Sequence, residues 1–118
     1  MRIIRFRCWN FEENKMEFPD LSDGWVVCEG EINHRNAPLY PLMQFTGSVD
    51  CKWNEIYEGD IVLLGEGFHP RKRPIVFSEY GAWDIGELGV SFGQMKANGF
   101  VDCEVIGNIY ENPELLTD

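Results

Sequence analysis

Basic residues are scarce in this sequence. Ten Lys and Arg side chains stand against twenty Asp and Glu side chains, which gives a formal net charge of −10 at pH 7. A net charge of this sign repels a phosphate backbone at long range, so it argues against sequence-independent binding to nucleic acid. Lys96 is the only basic residue after Pro74. The last third of the chain therefore suits a basic ligand or partner surface.

Closely spaced cysteine pairs and long apolar runs are also lacking. Cys8, Cys28, Cys51 and Cys103 lie far apart, without the C-x-x-C spacing of zinc ribbons and dithiol redox sites. We therefore expect no metal and no cofactor. We also expect the thiols to be free, because disulfides are rare in the cytosol. The N-terminal MRIIRFRCWN breaks its apolar residues with charges, unlike a signal peptide or a membrane span. These features predict a cytoplasmic protein with no membrane contact.

The sequence is rich in short runs of β-branched and aromatic residues, which predict strands. Residues 2–9 alternate in the period of two, and Trp25–Cys28 is a compact run bounded by turn residues. We predict an all-β, mostly antiparallel fold, a partly open barrel with additional hairpins, one of them around Tyr80-Gly81. Its helix content is a short C-terminal turn from Asn112 to Leu116. A length of 118 residues predicts a single domain, 1–118.

The stretch EIYEGDIV at residues 55–62 contains a tight-turn signal between apolar residues. Glu58-Gly59 can supply the central pair of a type II turn, because glycine adopts positive φ without a steric penalty from Cβ. Residues 61–64 then continue as a buried strand. The Gly-Asp-Ile corner also resembles the strand entry of small SH3-like barrels.

Three other segments carry weaker signals. Residues 33–41 contain Pro38 and Pro41 and few strand formers, so we expect a connecting loop. We expect residues 65–74 to form a long exposed loop. Within residues 86–98, Leu88, Val90 and Phe92 alternate like a strand, whereas residues 94–97 favour a helical turn.

Three blocks of the sequence together resemble the YopX family of small proteins from phages and prophages. They are RIIRFRCWN at residues 2–10, LMQFTG with EIYEGDIV at 42–47 and 55–62, and EVIGNIYENPELL at 104–116. The resemblance covers nearly the whole chain and implies an all-β arrangement containing an SH3-like barrel. It brings no catalytic residue, since the family has no established biochemical function. Family members usually carry a basic turn with Asn-Gly where this chain has residues 48–54, which include Cys51 and Trp53.

The sequence offers little for catalysis. Only His34 and His69 can act as bases at neutral pH, and each lies in an expected loop without a nucleophile at a recognisable spacing. Glu58 and Asp60 are explained as a turn acceptor and a strand start. We therefore expect a protein that is not an enzyme.

Two groups of residues are candidates for binding. Phe68, Arg71, Lys72 and Arg73 place basic groups beside an aromatic ring, a combination that pairs with phosphate and stacks on bases; the alternative is a solvated loop that keeps an edge strand soluble. Trp53 stands in a polar turn, so an exposed interface role is as reasonable as packing.

The leading hypothesis from the sequence is a noncatalytic phage or prophage accessory protein that contacts a host or phage protein, with a second copy of the chain as another candidate partner. The alternative is a nucleic-acid-binding regulator that uses the basic loop 71–73, together with Arg2, Arg5 and Arg7. In a variant of this alternative, the acidic last third mimics DNA. An enzyme ranks third.

Overall fold

A computed structural model describes residues 4–19, 25–28, 31–34, 39–65, 71–78, 81–86, 90–91, 96–97 and 99–116. Their backbone contacts divide the chain into two compact units, Met1–Phe45 and Thr46–Asp118. Strand β5 belongs to both units, since it runs through their boundary. The single-domain organisation stays a prediction.

The strands of the described residues are numbered in chain order. The first five are Phe6–Asn10 (β1), Lys15–Glu17 (β2), Trp25–Cys28 (β3), Glu31–His34 (β4) and Tyr40–Val49 (β5). Then follow Glu55–Tyr57 (β6), Asp60–Leu64 (β7), Arg71–Phe77 (β8), Trp83–Ile85 (β9), Val90–Ser91 (β10), Lys96–Ala97 (β11), Phe100–Val101 (β12) and Glu104–Asn108 (β13). A 3-10 turn, Pro113–Leu116 (η1), follows β13.

The predicted fold class is confirmed. The strand pairings between described residues are antiparallel, the C-terminal helical turn is present as η1, and β8 and β9 form the hairpin expected around Tyr80-Gly81. The SH3-like barrel stays a prediction. No helix in the described part of the chain is long and apolar enough to cross a membrane.

In the first unit the strand order is β2-β1-β5-β4-β3. Cys8 lies opposite Glu17 on one side and Leu42 on the other, and its buried side chain forms a small core with Ile32 and Tyr40. The loop predicted at residues 33–41 is wrong at both ends, because β4 extends to His34 and β5 starts at Tyr40. Ile32 pairs with Tyr40, and such cross-strand pairing outweighs weak local strand propensity.

The second unit contains a five-stranded sheet in the order β10-β9-β8-β7-β13 and a separate β11-β12 hairpin. Side chains from both sheets and from β6 form its main core: Ile56, Val62, Leu64, Ile75, Ile85, Val101 and Cys103. The expected turn in EIYEGDIV is present, since Gly59 has φ +85°. The Asp60 side chain accepts a 2.7 Å hydrogen bond from the Tyr57 backbone amide, and this bond fixes the corner between β6 and β7.

Two predictions for this unit are wrong. The long loop at residues 65–74 is shorter than expected, because Arg71 already pairs with Leu64 in β8; residues 66–70 lie outside the described residues. Lys96–Ala97 is a strand paired with Phe100–Val101 and not part of a helical turn. Both segments gain cross-strand hydrogen bonds that their local sequence does not reveal. Val90 lies in a strand as its alternation indicated, whereas Leu88 and Phe92 are outside the described residues.

The turn between β8 and β9 allows a test of backbone strain at a glycine with positive φ. Gly81 has φ +80°, and a Cβ added there would meet nothing within 4 Å. Gly81→Ala is therefore expected to lower the free energy of unfolding by about 1 kcal/mol through backbone strain alone. Urea denaturation would measure the change. Gly81→Asn is the matched control and should lose less, because asparagine tolerates positive φ; an equal loss for both variants would contradict the strain account.

Candidate functional site

A five-residue turn from Asp50 to Asn54 joins β5 to β6 and is organised by one buried carboxylate. The Asp50 side chain is fully buried. Its Oδ1 accepts hydrogen bonds from the backbone amides of Lys52 at 2.9 Å and Asn54 at 2.8 Å. Its Oδ2 accepts from Asn54 Nδ2 at 3.2 Å and from the Val105 backbone amide at 2.8 Å. Both carboxylate oxygens are thus used, and the turn is tied to β13.

The charge of Asp50 is held in place by these donors. Burial by itself disfavours a carboxylate, but the hydrogen bonds from Val105, Asn54 and Lys52 outweigh it and lower the pKa of Asp50 below its usual value of 3.8. Three backbone hydrogen bonds complete the turn, each at 2.9 Å: Asp50 donates to the Asn54 carbonyl, Trp53 to the Asp50 carbonyl and Cys51 to the Cys103 carbonyl. The turn is therefore a rigid support for whatever it carries.

The turn carries an exposed tryptophan. Trp53 has φ +66°, one of two residues other than glycine with positive φ in the described part of the chain. Its side chain is 63% exposed, and its ring meets Phe100 edge-on with centroids 5.7 Å apart. A bulky residue in the left-handed region is strained. The conformation of Trp53 therefore lowers the stability of the turn, while its aromatic ring is exposed to solvent.

A cavity of about 550 Å³ opens beside this turn. It is lined by Cys51, Lys52, Leu63, Asp102, Cys103 and Glu104, among others. Lys52 Nζ lies 3.6 Å from Glu104 Oε2, and this pair is exposed enough to contribute little stability. Among the described residues no group of three His, Cys, Asp or Glu side chains is arranged to hold a metal. The lining of the cavity thus combines the apolar side chain of Leu63 with the charged side chains of Lys52, Asp102 and Glu104.

The thiols around the site differ in access. Cys51 is exposed, whereas Cys8 and Cys103 are buried. Burial, with the nearby charge of Glu17, raises the pKa of Cys8 to about 11. Burial, with the charge of Asp50, raises the pKa of Cys103 to about 12. Since the thiolate is the reactive form, both buried thiols are chemically quiet at neutral pH.

The basic residues predicted to bind from a loop lie in a strand, which corrects the loop, whereas their role in binding stays a prediction. Arg71, Lys72 and Arg73 are the first three residues of β8, opposite Leu64, Leu63 and Val62. Successive side chains of a strand point to opposite faces, so the run is split between two faces. Among the described contacts none joins it to Trp53. Phe68 and His69 lie outside the described residues, as does the side chain of His34.

The N-terminal basic residues are built into the first unit. Arg7 is 7% exposed, and the guanidinium of Arg5 stacks over the Phe45 ring, 5.1 Å from its centroid. Arg2 lies outside the described residues. Arg5 and Arg7 therefore have packing roles in the structure.

Sequence reasoning singled out Trp53 but missed Asp50 and Phe100. Asp50 begins the segment Asp-Cys-Lys-Trp-Asn, and Asp followed by Asn four residues later is a usable signal for a side-chain-capped turn. The partners Val105 and Phe100 could not be found this way, because they lie far along the chain.

Replacing Asp50 tests its role in the turn. Asp50→Asn should lower the free energy of unfolding by about 2–4 kcal/mol, because an amide NH₂ would face a backbone donor and the ionic hydrogen bonds would be lost. Urea denaturation measures this. Asp102→Asn, at an exposed position nearby, is the control and should change stability by less than about 0.5 kcal/mol.

The lowered pKa of Asp50 predicts that its contribution to the free energy of unfolding depends on pH. A carboxyl group whose pKa is lowered by folding contributes stability that is fully present above its unfolded pKa and is lost as the pH falls through the folded value. The contribution of Asp50 should therefore decline below about pH 3.8. The stability difference between the native chain and Asp50→Asn should shrink in acid; a difference that is constant from pH 7 to pH 2 would contradict this account.

Alkylation tests the accessibility of the thiols. In the native protein, iodoacetamide should modify Cys51 well before Cys8 and Cys103, as read by mass spectrometry of peptides. The rate at Cys51 should rise with pH as the thiolate forms, and the rise should come at a higher pH than for an ordinary thiol, because desolvation and the charge of Asp50 raise the pKa of Cys51. Equal native rates at Cys51 and Cys103 would show that the core around Cys103 opens readily.

Comparison with known proteins places this chain among its relatives. A family model described as YopX protein matches residues 5–117. The chain is also similar to a solved structure, the crystal structure of protein EF1440 from Enterococcus faecalis, with 28% sequence identity and a TM-score of 0.68. That match covers 98% of this chain and 99% of the other. No curated protein sequence matches the chain.

Proposed function

Because the chain belongs to the YopX protein family, we propose that it is a noncatalytic β-sheet binding module of a phage or prophage that contacts a host or phage protein in the bacterial cytoplasm. The observation that carries this proposal is the exposed indole of Trp53 on a rigid turn. Tryptophan is among the residues that most often dominate the energy of protein interfaces. A protein partner is thus the class of ligand that this site fits best.

Pre-organisation of Trp53 supports this role. Binding loses less conformational entropy when an anchoring side chain is already fixed, and here the Asp50 carboxylate holds the turn while Phe100 holds one edge of the ring. Backbone strain in native proteins is concentrated at functional positions. An exposed tryptophan in a strained conformation, on a hydrogen-bonded turn and in contact with Phe100, matches both expectations.

The surroundings of Trp53 indicate the chemistry of the partner. The adjacent cavity gives a partner side chain a place to enter, and its lining includes Asp102 and Glu104. Residues 99–116 contain Asp102, Glu104, Glu111 and Glu114 and no basic residue. Complementary charge steers association and suppresses wrong partners. We therefore expect a partner surface with an apolar pocket for Trp53 and basic residues around it.

Trp53→Gly separates binding from stability. Glycine relieves the positive φ, so the free energy of unfolding should stay constant or rise by about 1 kcal/mol, while loss of the indole should weaken partner binding by about 2 kcal/mol or more, roughly 30-fold. The measurement is quantitative affinity capture from phage-infected and uninfected host lysate, followed by titration of the purified captured protein.

Phe77→Ala is the matched control. Phe77 is also an exposed aromatic residue of the second unit, 55% exposed on β8, and its loss should leave binding unchanged. If both variants bound the partner equally well, Trp53 would not be the contact. If no protein bound the native chain in a saturable manner, the binding-module proposal would fail.

A further inference from the structure

The three consecutive basic residues of β8 have no acidic partner in the described part of the chain. Lys15 and Lys52 each lie within ion-pairing distance of a carboxylate. Within the described residues no carboxylate pairs with Arg71, Lys72 or Arg73, although the chain has twenty acidic residues against ten basic ones. Since these three cations have no carboxylate partner among the described residues, an anion from outside the chain is a candidate partner for them.

The strand register places two of these cations side by side. Arg71 and Arg73 project from the same face of β8, about 7 Å apart along the strand, whereas Lys72 projects from the opposite face. Their cross-strand neighbours are Leu64 and Val62, which are 6% and 0% exposed. Hydrogen bonds to a charged group are stronger beside such apolar, poorly hydrated surface.

The guanidinium of Arg73 has an unused donor. Its Nε is buried and has no hydrogen-bond partner, and its Nη1 turns back to donate to the Lys72 carbonyl at 2.8 Å. An unpaired buried N–H costs stability, and each such group in a native protein calls for an explanation. A bound oxyanion would provide one if the half-buried Arg73 side chain turned this N–H outward, since the Nε is closed to solvent in the structure.

We propose that Arg71 and Arg73 form a binding site for a single phosphate group, of the phosphomonoester or inorganic phosphate class. Two guanidinium groups on one strand face can both donate to one tetrahedral oxyanion, and arginine is suited to such multiple hydrogen bonds. A carboxylate has only two oxygens and is satisfied by one guanidinium. An extended polyanion is disfavoured, because the net charge of −10 repels it at long range.

The site differs from the basic loop that the sequence suggested. In that hypothesis Arg71, Lys72 and Arg73 act together, as basic groups clustered in a loop beside Phe68. On β8 the two arginines share one face and the lysine is excluded from it. This difference gives the proposal a control variant on the same strand with the same change of charge.

The test is a titration of the ¹⁵N-labelled full chain with inorganic phosphate, observed at the arginine Nε–H resonances and at the backbone amides of β8. We expect a saturable shift of the Arg73 Nε–H. Arg73→Gln should weaken phosphate binding at least ~10-fold, and Arg71→Gln should weaken it less because this side chain is exposed. Lys72→Gln should change the affinity by less than about twofold, since it removes only a screened charge.

Further titrations with adenosine monophosphate, acetate and a short single-stranded oligonucleotide distinguish the sources of the anion. The proposal is supported if adenosine monophosphate binds more tightly than the oligonucleotide when affinity is expressed per phosphate group, and if acetate binds weakly. Stronger binding of the oligonucleotide, lost alike in Lys72→Gln and Arg73→Gln, would overturn it in favour of a diffuse nucleic-acid surface. Acetate binding as tight as phosphate, or no shift at millimolar phosphate, would overturn it as well.

Arg73→Lys guards against a folding artefact. It keeps the charge and removes the planar fork of donors, so it should retain the thermal stability of the native chain and still lose most phosphate affinity. Full affinity in Arg73→Lys would show that a charge at this position suffices, which contradicts the proposed geometry.

Discussion

The buried carboxylate of Asp50 is the interaction on which the candidate site depends. An ionised group without solvent is stable only when its oxygens are fully hydrogen bonded, and Asp50 meets this condition with donors from its own turn and from Val105. The requirement acts in both directions. The turn satisfies the charge, and the charge fixes the turn against a strand that lies 55 residues further along the chain.

Asx side chains organise other corners of the molecule in the same way. Asn10 accepts from the backbone amides of Glu12 and Glu13, and Asn108 accepts from those of Tyr110 and Glu111. Each side chain replaces a backbone acceptor where the ladder of hydrogen bonds ends, which is the usual use of Asp and Asn in turns. Short strands can therefore end abruptly without leaving buried donors unpaired.

Asp and Asn side chains that accept from backbone amides also protect an edge strand of the second unit. Strand β13 is the last strand of its sheet, and an edge strand offers free donors to other chains. Here the Val105 amide is taken by Asp50 and the Asn108 amide by the Asn112 side chain, at 2.8 Å and 3.2 Å. Addition of a partner strand at these positions is blocked.

Local chemistry in the sequence was enough to determine the all-β class, the corner at Gly59 and the C-terminal turn, because alternation and turn preferences depend on neighbouring residues. Only the tertiary structure decided that residues 31–34 and 71–73 are strands, since they are strands by virtue of pairing with neighbouring strands. It also decided which basic residues share a face, and it brought Val105 to Asp50. A strand face and a buried hydrogen bond are properties of a pairing, and one segment alone does not contain them.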